Sequence, residues 1–288
     1  MDLAAFAVGE RRAVLFASDR RGAPIGYPMT VLAADATEVL FTTYAKSAKV
    51  RHLAADPRAA VLLLAPPTPT GPLRWVSLQG RAVVSAPTPA QVEDLFARRG
   101  SDPRVPVAVL ERTRRRLLDG KRVVITVVVD SASPGAAAAP GWVNGPGRVD
   151  GPGRVDGPGG VDGPGPVERP VTRRAGPPPM SAGQTDTFLA GHPTGAVAWA
   201  ERGAGTRTLP VRVVDHDPTS IRCETPGPAG PPEGADACIV VDRFATYDGI
   251  RGVIAQGTVT AAADTPTGGR AVQLRVGQLT TFSFEGTA

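Results

Sequence analysis

Between Thr42 and Arg58 the chain reads TTYAKSAKVRHLAADPR, a spacing of hydroxyls and cations suited to holding an anion. Thr42 and Thr43 end an apolar run, Val39-Leu40-Phe41, and Ser47 stands where a short helix would begin. Lys49 falls in the first turn of that helix, and Val50 and Leu53 give it a buried side. A helix start offers unpaired backbone N–H groups and the positive end of the macrodipole. With the Thr42, Thr43 and Ser47 hydroxyls and the Lys49 charge, the chemistry favoured is recognition of a phosphate. The competing reading is a helix whose basic face is merely solvated. No Ser/His/Asp or Cys/His nucleophile set accompanies the segment. His52, His192 and His216 read as ordinary polar histidines, and Cys223 and Cys238 as buried reduced thiols without metal-ligand spacing.

The elements that must position this segment are strands. RAVLFAS (Arg12–Ser18), PIGYPMTVLA (Pro24–Ala33) and EVLFTTY (Glu38–Tyr44) are divided by turn signals, and AAVLLLA (Ala59–Ala65), RWVSLQGRAVVS (Arg74–Ser85) and KRVVITVVVD (Lys121–Asp130) follow. Short strands at this spacing predict a barrel. Thr88-Pro89-Ala90-Gln91 is a capping box with proline at the first helical position, opening a helix with Val92, Leu95 and Phe96 on its apolar stripe.

The second half repeats the order. GAPIGYPMTVL corresponds to GTRTLPVRVV (Gly205–Val214), TEVLFTT to TSIRCET (Thr219–Thr225), DPRAAVLLL to GADACIVVD (Gly234–Asp242), and VSLQGRAVV to VIAQGTVTA (Val253–Ala261). Both copies share a Gln-Gly, Gln79-Gly80 and Gln256-Gly257, so the chain reads as a tandem duplication. Between the copies lie the hexapeptides GPGRVD, GPGRVD, GPGGVD and GPGPVE, from Gly145 to Glu168, too poor in apolar residues to build a core. Glycine and proline predict a disordered linker there, beginning near Ser131 in the broadest reading and confined to 143–180 in the narrowest. The domains expected are 1–142, the linker 143–180, and 181–288. The second copy replaces the Ser-x-Lys segment with Pro226–Gly234, where proline forbids the helix and the cations are gone.

Net charge of +5 suits an anionic ligand, but no basic stripe is interleaved with aromatics, which are 5% of residues, so nucleic acid is not expected as a partner. An acid at Asp2 and charges after the short apolar start run opposite to a signal peptide, and no apolar run approaches the ~18 residues of a membrane span. A soluble cytoplasmic protein is expected.

The segments LFTTYAKSAKVRHLAADPRAAVLL, RWVSLQGRAVV and KRVVITVVVD resemble the flavin- and deazaflavin-binding split β-barrel superfamily that includes pyridoxamine 5′-phosphate oxidase. The resemblance implies a mainly β fold, here two such barrels with a few short helices, the second degenerate. It implies that Thr43, Ser47 and Lys49 hold a cofactor phosphate with Thr42 and Arg51 nearby. The strand at Pro28, Met29 and Thr30 would run beneath the cofactor ring. Ala48 stands at an arginine position of the oxidase, Gly26-Tyr27-Pro28 replaces its arginine-bearing strand, and its Arg-Leu-x-Pro tail is absent, which points away from vitamin B6 oxidation. The form K-x-R-x-L-x-x-D-P-R (Lys49–Arg58) looks more like the deazaflavin-dependent reductases, which use coenzyme F420. Hydride transfer to an electron-poor C=C or C=N bond of a small molecule is thus implied. FMN is the alternative cofactor, and a non-catalytic flavin carrier or sensor the alternative role. The cations of ERTRRRLLDGKR (Glu111–Arg122) would suit the acidic tail of coenzyme F420, or else form an exposed helix. Barrels of this kind resemble obligate dimers, so either an intrachain pseudo-dimer or a homodimer is expected.

Overall fold

A computed structural model describes residues 2–65, 72–99, 107–137, 180–191, 194–201, 205–244 and 250–283. These form two closed six-stranded barrels. The first contains β1 (Arg12–Ser18), β2 (Pro24–Ala34), β3 (Glu38–Tyr44), β4 (Arg58–Ala65), β5 (Leu73–Ser85) and β6 (Arg122–Ala137). The second contains β7 (Thr194–Glu201), β8 (Gly205–His216), β9 (Ser220–Thr225), β10 (Asp236–Phe244), β11 (Ile250–Asp264) and β12 (Arg270–Ser283). All neighbouring strands are antiparallel and the circular order is the same in both, the third strand pairing with the sixth. The duplication is therefore structural. A helix precedes each barrel: α1 (Leu3–Glu10) seals the first with Leu3, Phe6 and Ala7, and α5 (Ala182–Gly191) the second with Phe188 and Leu189.

Strands β1 and β4 are apolar on both faces, which an isolated barrel would not need. Their Ala13, Leu15, Val61 and Leu63 fill the barrel interior, while Val14, Phe16, Ala60, Leu62 and Leu64 face outward. Those outward residues share one buried cluster with Ala196, Ala198, Cys238 and Val240 of β7 and β10. The continuous apolar runs are thus the docking faces of two barrels.

The repeated Gln-Gly marks that docking. Gly80 and Gly257 each sit at a β-bulge, where a Cβ would lie 2.0 Å from the Val128 carbonyl oxygen or 1.9 Å from that of Arg275. The glutamines cross between barrels in a pseudo-symmetric pair: Gln79 Nε2 donates to the Thr206 carbonyl, and Gln256 Nε2 to that of Pro24, both at 3.1 Å. One ion pair lacks a symmetric counterpart. Arg12 grips Asp242 with Nη2–Oδ1 at 2.8 Å and Nε–Oδ2 at 3.2 Å, and Asp242 is buried.

The first barrel carries an insertion between β5 and β6. Thr88 caps α3 (Pro89–Arg99) as its capping box predicts, accepting from Gln91 N and donating its own N–H to Gln91 Oε1. Helix α4 (Val107–Leu118) follows, and the pair covers Leu32, Ala33, Leu40 and Val124 on the outer face of the barrel. The second barrel joins β11 to β12 by a short turn instead. One expectation needs correcting, and one strand escaped the sequence. Strand β6 runs on to Ala137, paired with β5 throughout, so the linker cannot begin near Ser131. The mixed polar run from Arg270 to Ser283, unmatched in the sequence reading, is the sixth strand of the second barrel. The tract 143–180 and its hexapeptides lie, Met180 apart, outside the described residues.

Candidate anion-binding cleft

Helix α2 (Ala48–Ala55) starts behind Ser47, whose side chain makes no cap bond, leaving its hydroxyl beside Thr43 at 3.4 Å. Leu53 anchors the helix in the barrel core, which sets Lys49 against the end of β3. Next to it opens a cleft of about 440 Å³. Its floor is Pro28–Leu32 of β2 and Thr42–Tyr44 of β3, and one wall is α4 with Val109, Leu110 and Thr113. Ile250 of the second barrel closes an edge.

Cations converge on this space. Lys49, Arg112, Arg116 and Arg122 all line it. Burial, and then the charge of Arg122, push the Lys49 ammonium down to about 8. Its Nζ lies 5.3 Å from the Tyr27 ring centre, a cation–π contact that substitutes poorly for a counter-ion. Arg122 stacks on Tyr44 at 4.6 Å, and Arg116 meets the same ring at 5.5 Å while donating to the Tyr44 hydroxyl. The Arg122 Nε and the Thr42 Oγ1 are buried without a partner among the described residues. Lys49, Arg122 and the orphaned Thr42 hydroxyl share one cleft that no carboxylate lines among the described residues. An anion supplies what each of them lacks.

Of the residues singled out in the sequence, Pro28, Met29, Thr30, Thr42, Thr43 and Lys49 line the cleft together. Ser47 stands just behind, touching Thr43. Arg51 does not join them: it is exposed and donates to the Lys46 carbonyl at 3.0 Å. From the basic stretch Glu111–Arg122, Arg112, Arg116 and Arg122 face the cleft, whereas Arg114 pairs with Glu93 and Glu111. Tyr44 and Ile250 escaped the sequence reading. A tyrosine opposite an arginine across β3 and β6 was a signal only once the strand register was known. His52 accepts or donates a 2.7 Å bond with the Tyr27 hydroxyl, and His216 meets Asp186 at 3.4 Å. His192 lies outside the described residues. Both cysteines are free and buried, their thiols pushed up to about 12 by burial.

Residues 2–132 match the family model described as pyridoxamine 5′-phosphate oxidase. The first barrel is therefore similar to that family. Among solved structures, a conserved hypothetical protein from Mycobacterium tuberculosis is 25% identical, with a TM-score of 0.38 over 46% of this chain and 81% of that one. An F420 reductase is 22% identical, with a TM-score of 0.30 over 43% and 90%. An FAD-binding protein from Mesorhizobium loti is 14% identical, with a TM-score of 0.36 over 47% and 93%. No curated protein matches the chain.

The second copy of the split barrel departs from the first at the cleft itself. Strand registers set Thr30 beside Arg212 and Thr42 beside Glu224 as equivalent positions. Arg212 and Glu224 close on each other at 2.5 Å. Leu32, Ala33 and Leu40, covered by α3 and α4 in the first split barrel, correspond to Val214, Asp215 and Arg222. There Asp215 and Arg222 form an exposed pair at 2.7 Å.

Proposed function

We propose that the chain is an oxidoreductase of the flavin and deazaflavin type. In this reading it uses coenzyme F420 to pass hydride to an electron-poor C=C or C=N bond of a small molecule. The observation that carries the reading is the pairing of Lys49 and Arg122, two cations in one cleft without a counter-ion among the described residues. They would hold the phosphate, with Thr42, Thr43 and Ser47 donating hydroxyls. The hydride chemistry belongs to the bound cofactor. This chain's part is to bind, orient and exclude water. The β2 segment Pro28–Thr30 offers the ring a floor, and Val109, Leu110 and Ile250 supply apolar walls. Arg112 and Arg116, at the α4 rim, suit a second acidic group, which favours coenzyme F420 over FMN.

FMN stands as the second reading because Lys49 and Arg122 alone satisfy a single phosphate. A fluorescence titration of the purified protein with each cofactor separates them. Tighter binding of coenzyme F420 is expected, and equal or tighter binding of FMN would overturn the choice. Turnover with reduced coenzyme F420 and an activated alkene or imine tests the enzyme against a carrier. Ile250 at the cleft and the shared apolar interface support an intrachain pseudo-dimer as the working unit. No described helix is long and apolar enough to cross a membrane.

A further inference from the structure

The larger cleft, about 960 Å³, lies between the barrels on the side of the second copy. Trp75 and Ser77 of β5 form one wall, and Trp199, Thr208 and Arg270 of the second barrel the other, with Pro226–Gly234 at the rim. Two of the chain's three tryptophans line it. The internal repeat shows that this is particular to one side. Trp199 occupies the register position of Ala17, and Trp75 that of Gly252. The groove related by the repeat has small residues where this one has indoles.

Phosphate chemistry is missing from the cleft. The rim has neither the helix nor the lysine of the first copy, and the Thr225 hydroxyl is spent on the Ala229 carbonyl at 2.7 Å. Glu201 and Arg207 neutralise each other at 2.6 Å. Two donors stay unused among the described residues: the Arg270 Nε and the Oγ1 of Thr208, itself only 2% exposed. Arg270 reaches the exposed Asp264 with Nη1 alone, at 3.4 Å. A roomy slot lined by indoles and prolines, with one guanidinium N–H and one hydroxyl unused among the described residues, selects flat apolar ligands bearing a single acceptor. We propose that this cleft is a second binding site, for a planar aromatic monoanion without phosphate.

The test is a titration of the full chain with anilinonaphthalene sulfonate, an aromatic monoanion with a flat naphthalene ring, read by energy transfer from tryptophan. One saturable equivalent is expected, unchanged by saturating FMN and unchanged in Lys49→Ala. Ala229→Trp fills the rim while keeping the carbonyl that holds Thr225, and should weaken binding tenfold or more with the circular dichroism preserved. Arg270→Gln should weaken it by a similar factor. Wild-type affinity in Ala229→Trp, or displacement of the probe by FMN, would overturn the proposal. Because the first cleft is disabled separately by Lys49→Ala, failure here is distinguishable from failure of the cofactor reading.

Discussion

At neutral pH Lys49 carries a charge that burial and Arg122 both disfavour. Below about 8 the ammonium is charged in folded and unfolded chain alike, and the cost falls wholly on the folded state. As pH rises from about 8 toward 10.5 the folded state releases its proton first, so this group's contribution makes the empty protein more stable over that window. Lys49→Met should therefore raise the melting temperature of the free protein by ~2–4 °C, on the order of 1 kcal/mol, as calorimetry would show. Binding responds with the opposite sign. Lys49→Ala should weaken a phosphate-bearing cofactor by about 1.5–3 kcal/mol, the range for a hydrogen bond to a charged group. An unchanged dissociation constant would remove Lys49 from the clamp. In the wild type, affinity should fall by roughly tenfold per pH unit above about 8, because binding then requires uptake of the missing proton.

Elements separate the two copies more sharply than single residues do. The first split barrel has α2 to present Lys49 and the α3–α4 insertion to wall the cleft; the second has Pro226–Gly234 and a short turn. Its Arg212–Glu224 pair also fills the positions that Thr30 and Thr42 leave open to a ligand. Isothermal titration of the intact chain should give about one phosphate-bearing cofactor per chain, since an anion there would meet Glu224 and no lysine. Two equivalent sites would contradict the account.

For the whole molecule, the docked apolar faces of β1, β4, β7 and β10 make the barrels one cooperative body, pinned by Arg12 and Asp242. Removing one partner of a buried pair leaves the other charge stranded, so Asp242→Ala should destabilise the chain by about 3–5 kcal/mol in urea denaturation. A chain cut at Gly157 should still sediment as a single particle with the mass of one chain, because the contacts between halves do not depend on the peptide connecting them. Separation of the pieces at micromolar concentration would show that the interface is too weak to act alone.

The local parts of this protein were legible in its sequence. Thr42, Thr43, Ser47 and Lys49 lie within one strand-to-helix connection, whose geometry follows from nearby residues, and the Gln-Gly repeat exposed the duplication because each bulge admits only glycine. Strand β12 was not legible, since its polar, irregular pattern becomes a strand only by pairing with β11 and β9. Nor were Arg122, Tyr44 and Ile250 as one site. Barrel closure sets Arg122 opposite Tyr44, and docking of the second barrel brings Ile250 to the edge. Sequence by itself determined most of the strands, the repeat and the hydroxyl-and-lysine segment, because short-range sterics and hydrogen bonding decide those. Only the tertiary structure decided which cations lack partners and where the two barrels leave space, because charge balance and cavities depend on contacts between residues far apart in the chain.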